Sequence, residues 1–260
     1  MTALFCCVKG LSVHYEREAA LISIDLDLIE GERLAIIGES GSGKSTFARA
    51  LAGLLPVQAR IEGNIIWPAL GHAPLPGHDF GFVFQDPGTS LNPVLTIGEQ
   101  VAEGARRHLG LGWRQAYARA EELLERVSLP QPTNIMRAFP HQLSGGQRQR
   151  VAIAAAIAAR PALLIADEAT SALDVVVQAE IVGLLDSLVR EEGMTLLFIT
   201  HDIALASGFV DRVAVFRGGA LLEAGPARSV LSSPADSYTA ALIASHRDLS
   251  TPPLIAEVVS

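Results

Sequence analysis

Gly38, Glu39, Ser40, Gly41, Ser42, Gly43, Lys44, Ser45 and Thr46 follow an apolar run and precede one with helical spacing. They fit the pattern of two glycines with four residues between, then lysine, then serine or threonine. Such glycines let the backbone fold around phosphate oxygens. Lys44 can neutralise β- and γ-phosphates, and the Ser45 hydroxyl can ligate Mg²⁺. A chance glycine-rich loop is the rival reading, and the flanking strand and helix argue against it. About a hundred residues later, LSGGQRQR (Leu143 to Arg150) offers a second anion site. Ser144, Gly145, Gly146 and Gln147 open a helix whose first N–H groups have no intrahelical acceptor. The spacing alone leaves open whose phosphate this second helix start serves.

ALLIADE, Ala162 to Glu168, supplies acids. Asp167, at the end of a buried strand, can hold the shell of a Mg²⁺ ion at the sheet edge. Glu168 projects differently and can polarise an attacking water as a general base. Two adjacent acids at a strand end are also ordinary solvated surface. The apolar run before them and the phosphate loop upstream favour the chemical reading.

Groups of this kind need a rigid frame. ALFCCVKGLSVHY reads as a strand, and ALISIDLDLIEGERLAII alternates before ending in an apolar strand at Leu34 to Ile37. Glu30-Gly31-Glu32 carries turn chemistry of the hairpin kind. A helix runs from Lys44 toward Pro56, and GFVF is a short strand. ALLIAD and TLLFIT are strands separated by the helix AEIVGLLDSLVREEG, and DRVAVF is a further strand. Nearly all-apolar strands alternating with helices imply a parallel sheet covered on both faces. From Thr96 to about Ser128 two amphipathic helices interrupt the alternation as an inserted helical subdomain, with QRQRVAIAAAIAA another helix after them. Gly63 to Gly81, with three prolines and two histidines, reads as loop-rich. HRDLSTPPLIAEVVS reads as a loosely attached tail.

Composition narrows the classes. The 260 residues suffice for one large α/β domain or two small ones. Hydrophobic residues at 49% and a mean hydropathy of +0.32 imply a large core. The apolar run Val151 to Ala159 stops at Arg160-Pro161, far short of the roughly 20 residues a membrane span needs. No basic region precedes an apolar stretch as in a signal peptide. A chain this apolar suits docking on something apolar. The net charge of −8 argues against nucleic acid, Arg148 and Arg150 being the nearest approach to a basic cluster. Cys6 and Cys7 are adjacent, a poor geometry for a disulfide, and read as reduced thiols in a buried first strand of a cytosolic chain.

LSGGQ, LLIADEATSALD and FITHD together resemble the ATP-binding subunit of an ABC transporter, with the motifs in family order from about Leu11 to Ala244. The resemblance implies a P-loop NTPase (RecA-like) α/β core, an N-terminal antiparallel β-subdomain and an inserted α-helical subdomain. It places residues 1–90 and 161–230 in the core and β-subdomain, 91–160 in the helical subdomain and 231–260 in a C-terminal helix and tail of one domain. It implies ATP and Mg²⁺ as cofactors. Gln85, in VFQDP, matches the glutamine that touches Mg²⁺ and the water and senses the membrane partner. Ser171 to Asp174 match the loop that crosses between two sites. His201 matches the switch histidine on the γ-phosphate, and Tyr15 the aromatic stacked on adenine. Ala169 stands where the family has proline. By the same resemblance LSGGQ serves a partner's ATP, in a head-to-tail dimer with an identical or sister subunit.

GESGSGKST, GLLP, IEGNI, FQDPGTSLNP and SSPADSYTAALIAS resemble the peptide and nickel importer branch. The SLNP segment matches a region that forms the groove for a helix of the membrane subunit. The short segment before GFVFQDP and the lack of a cysteine-containing C-terminal extension look more like the nickel or metal-chelate members. His72 and His78 read as surface-loop residues and not as nickel ligands. The branch implies a peripheral protein on the cytoplasmic face of the inner membrane, with two multispanning subunits and an extracytoplasmic solute-binding protein. The rivals are a soluble ABC-type ATPase acting on DNA or ribosomes, and an exporter's ATPase subunit.

Overall fold

A computed structural model describes residues 3–16, 18–171 and 173–247. The expected tail beyond 247 lies outside the described residues. In chain order come β1 (Leu4–Tyr15), β2 (Glu18–Ile29), β3 (Arg33–Ile37), α1 (Lys44–Leu51), β4 (Arg60–Ile66) and β5 (Phe80–Val83). Then follow α2 (Pro87–Ser90), α3 (Ile97–Leu109), α4 (Trp113–Arg126), α5 (Pro132–Arg137), α6 (Gly145–Ile157), β6 (Leu163–Asp167) and α7 (Val175–Glu192). The chain continues through β7 (Thr195–Ile199), α8 (Ile203–Ser207), β8 (Arg212–Arg217), β9 (Ala220–Pro226), α9 (Ala227–Ser232) and α10 (Ser237–Arg247).

The described residues fall into two compact units, one running to Pro74 and resuming at Met194, the other Leu75–Gly193. In the first, β7, β3 and β8 are parallel neighbours and β9 closes the edge antiparallel to β8. β3 is buried but for Arg33, and β7 is buried throughout, as strands covered on both faces must be. Phe47 of α1 packs on Phe216 of β8 with ring centroids 5.5 Å apart, anchoring the helix that follows the phosphate loop. A separate antiparallel sheet has the order β2-β1-β4, and its edge strand β4 is largely exposed.

Glu30-Gly31-Glu32 is a turn, but the chain does not double back there. It passes from β2 in one sheet to β3 in the other, and the hairpin closes instead between β1 and β2, where Tyr15 pairs with Glu18. Glu32 is buried rather than solvated. Its carboxylate accepts from the Ile29 N–H (2.6 Å) and from Arg212 (3.0 Å), and burial raises its pKa. The loop-rich reading of Gly63 to Gly81 is too wide, because β4 runs to Ile66 and β5 begins at Phe80.

The second unit holds the parallel pair β5–β6 and the helices α2 to α7. The amphipathic pattern is borne out: α3 buries Val101, Ala102 and Ala105, and α4 buries Ala116, Ala120, Leu123 and Leu124. Thr96 caps α3 in a reciprocal box, its N–H donating to the Glu99 carboxylate at 2.8 Å. The basic cluster is structural. Arg150 donates to the Val127 carbonyl and to Glu180, and Arg148 to the Leu143 carbonyl.

Candidate functional site

In the first unit, β3 delivers the chain into the phosphate loop at Gly38. A Cβ there would stand 2.1 Å from the Phe216 carbonyl oxygen, so only glycine fits. Gly43, at φ 99°, opens α1, and a Cβ on it would meet the Ala20 carbonyl oxygen at 2.6 Å. α1 starts without a side-chain cap, which leaves its first N–H groups without a side-chain acceptor. The Lys44 side chain is buried to 4% exposure, and its ammonium donates to the carbonyls of Gly38 and Glu39, both at 2.8 Å. The Ser42 carbonyl accepts from the Gly219 N–H at 3.1 Å, which ties the loop to the β8–β9 turn. On the far side, the Glu39 N–H donates to the hydroxyl of Tyr238 in α10 at 3.3 Å.

His201 arrives by register. Ile36 of β3 pairs with Ile199 of β7, so Gly38 and His201 both lie two residues past one rung, at the carboxyl edge where α/β sheets bind ligands. Asp202 holds the turn, its carboxylate capping α8 through the N–H groups of Ala204 and Leu205, and the His201 side chain is exposed. Tyr15, half-buried, sits at the end of the β1–β2 hairpin nearest to Ala20 and Leu21, the residues that press on Gly43.

In the second unit register also places the acids. Val83 of β5 pairs with Ala166 of β6, so Gln85 and Glu168 emerge side by side. The Gln85 amide donates to the Glu168 carboxylate at 2.9 Å and to the Ser171 hydroxyl at 3.4 Å. Asp167 closes β6 at 3% exposure. Glu168 adopts φ 47°, in the left-handed region, and its carbonyl accepts from both the N–H and the hydroxyl of Ser171, 3.1 Å each. Ala169, where the resemblance expects proline, is 2% exposed inside that turn. In this unit Gln85 and Asp167 carry amide carbonyl and carboxylate oxygens, and in the first unit Ser45 carries a hydroxyl, each a hard donor of the kind Mg²⁺ takes. The Gln85 nitrogen is engaged by Glu168, which leaves its carbonyl oxygen outside that hydrogen bond.

Ser144 caps α6, its hydroxyl accepting from the Gln147 N–H (3.2 Å) while the Gln147 side chain accepts from the Ser144 N–H (2.9 Å). The Gln147 backbone N–H and side-chain oxygen are thus committed to the cap. The donors outside the cap are the N–H groups of Gly145 and Gly146, the Ser144 hydroxyl proton and the Gln147 side-chain amide nitrogen. Asp174 caps α7 by accepting from the Val177 N–H at 3.0 Å. Ser144 with Gln147 three residues on has the sequence form of a capping box, whereas Asp174 is marked as a cap only by its residue type.

The SLNP segment is pinned by Gln100 of α3. Its amide oxygen accepts from the Asn92 N–H and its nitrogen donates to the carbonyls of Asn92 and Leu95. Just beyond it lies a cavity of about 580 Å³, lined by Thr96, Glu99, Arg114, Tyr117, Met136 and Arg137 among others. Glu99 is held by Thr96, and Glu121 by the Thr133 hydroxyl. Arg114 and Arg137 line the same cavity, so it carries charges of both signs, two guanidiniums against two carboxylates. Among the described residues no helix is long and apolar enough to cross a membrane.

The family profile described as ABC transporter matches residues 21–171. The chain is 42% identical to the peptidoglycan transport ATP-binding protein YejF of Agrobacterium fabrum, over 94% of this chain and 49% of that protein. It therefore spans about half that relative's length. It is 40% identical to the oligopeptide transport ATP-binding protein OppD of Bacillus subtilis, over 92% of this chain and 70% of that protein. Among solved structures it is similar to the post-hydrolysis dimer of the ATP-binding cassette MJ0796 bound to ADP and Pi. That match has a TM-score of 0.74 and 32% identity, covering 86% of this chain and 99% of that one.

Proposed function

The chain belongs to the ABC transporter family, and from that premise we propose that it binds and hydrolyses ATP to energise a membrane importer of peptides. It works in a head-to-tail pair of ATPase subunits, on the cytoplasmic face of the inner membrane. Two multispanning subunits form the path, and an extracytoplasmic solute-binding protein delivers the cargo. Peptides are preferred because the relatives' names concern oligopeptide and peptidoglycan transport.

The observation that carries the hydrolytic reading is the Gln85–Glu168 hydrogen bond beside buried Asp167. A base held at a fixed place by a neutral amide can take a proton from water without being neutralised by a cation. Lys44 and the loop N–H groups hold the phosphates, His201 meets the γ-phosphate, and Tyr15 stacks on adenine. Ser45, Gln85 and Asp167 are the residues that would hold Mg²⁺, which when bound would supply charge stabilisation to the departing ADP. Ser144, Gly145 and Gly146 close over the partner's nucleotide. The cavity beside SLNP receives a helix of the membrane subunit, with Arg114 and Arg137 meeting its carboxylates or a carboxyl-terminal dipole.

Capture on the purified chain from solubilised membranes tests this function. Recovery of multispanning proteins is expected, and the double variant Arg114→Glu, Arg137→Glu should lose them while retaining ATP. Recovery of ribosomes or DNA in their place would sink the reading. Tyr15 is tested separately. Stacking of a base on an aromatic is worth about 1–3 kcal/mol, so Tyr15→Ala should weaken ATP binding while Tyr15→Trp largely preserves it. Equal affinities would reduce Tyr15 to a packing residue.

A further inference from the structure

The phosphate loop is held from two sides, and only one of them lies in the loop's own motif. From within, the Lys44 ammonium draws on the carbonyls of Gly38 and Glu39. The Glu39 N–H of that stretch meets Tyr238, 199 residues away in the chain. Tyr238 is itself fixed on several sides. Its N–H donates to the Asp236 carboxylate at 2.8 Å, and its ring lies under the Arg217 guanidinium, 4.5 Å from the centroid. The N–H groups of Ala235 and Asp236 donate to the Glu223 carboxylate at 2.9 and 3.2 Å. Arg217 and Glu223 belong to the β8–β9 hairpin, whose Gly219 N–H holds Ser42 of the loop. Loop, hairpin and the start of α10 therefore form one closed circuit of contacts. α10 also packs against α8, the helix that begins two residues after His201.

Resting on the ATP-binding reading above, we propose that Tyr238 is a positioning residue for the phosphate loop: its hydroxyl fixes the Glu39 peptide and so sets the loop's affinity for nucleotide phosphates. The ring alone cannot do this, because it supplies no acceptor. Burial, with the Glu39 carboxylate nearby, raises the phenol's pKa, so the hydroxyl stays neutral wherever the loop works. Tyr238→Phe keeps the ring and its Arg217 stack while leaving the Glu39 N–H without its acceptor. The loop is then free to leave the conformation in which its N–H groups converge.

The test uses the full chain purified as wild type, Tyr238→Phe, Tyr238→Leu and Lys44→Ala. Each is titrated with a fluorescent ATP analogue and melted without nucleotide. Loss of one neutral hydrogen bond predicts that Tyr238→Phe raises the dissociation constant by roughly 3–10-fold, with little change in melting midpoint. Tyr238→Leu should weaken binding at least as much and also melt earlier, having lost the ring. If Tyr238→Phe binds as tightly as wild type or tighter, the proposal is overturned. It is overturned equally if both Tyr238 variants melt earlier but bind unchanged when folded, since Tyr238 would then only support α10. Lys44→Ala separates the two levels. Wild-type affinity in that variant would refute the nucleotide site itself, whatever Tyr238 does.

Discussion

Glu168→Gln retains ATP and turns it over roughly 10²–10⁴-fold more slowly than wild type, the size of effect expected when a general base is removed. The substitution is nearly isosteric, and the surroundings argue that it leaves the fold alone. The strained φ of 47° belongs to the backbone and is held by the Ser171 N–H and hydroxyl on the Glu168 carbonyl, neither of which involves the carboxylate. A glutamine can turn its amide oxygen toward Gln85 and keep that contact. What it lacks is basicity. Binding should survive because the loop, Lys44 and Ser45 are untouched. Steady-state hydrolysis and nucleotide retention on the same preparation check both halves. Turnover within about threefold of wild type would remove Glu168 from the chemistry.

The parts of this site that were legible in the sequence are those where one residue type answers one physical demand. Gly38 and Gly43 are readable because a Cβ at either place would strike backbone. Asp167 is readable because an acid closing an all-apolar run is costly to bury unless a cation or donor meets it there. The α3 boundary is readable because Thr96 and Glu99 form a capping box. What stayed hidden depends on long-range pairing. No local pattern says that Gln85 faces Glu168; the β5–β6 register does. Nor does the Glu30-Gly31-Glu32 turn reveal that it switches sheets, since a hairpin and a crossover can begin with the same residues. Short elements were lost for another reason. α5 and α8, of 6 and 5 residues, are too brief to show a helical period, and β9 alternates between half-buried and exposed positions without one fully buried residue. Tyr238 sits in a stretch recognisable by resemblance, yet its hydroxyl's partner is 199 residues away.

Which subunit's ATP the second glycine motif holds can be decided with two copies of the chain tethered into one dimer. Lys44→Ala disables the phosphate loop. Gly145→Asp places a carboxylate where the γ-phosphate should approach. Gly145 is the better choice of the two glycines. A Cβ there has only ordinary contact with Leu173 at 3.9 Å, whereas one on Gly146 would press on Val177 at 3.1 Å. An acid in the first turn of α6 also suits the helix dipole, so the lone subunit should not lose stability. If the motif acts on the partner's nucleotide, both changes on one copy spoil both sites: one loses its loop, the other its lid. Placed on different copies, the same two changes fall in a single site and leave the second whole. A motif serving its own chain reverses the pattern. Both tethered dimers carry the same two substitutions, so any stability lost with Lys44, whose ammonium satisfies two carbonyls, is common to them. Trapped nucleotide per dimer is the measurement, because turnover would mix in cooperation between sites. Trapping is expected only when the changes sit on different copies. Trapping only when they share a copy would mean that Ser144, Gly145 and Gly146 face their own chain's phosphates, and the head-to-tail pair would have to be abandoned.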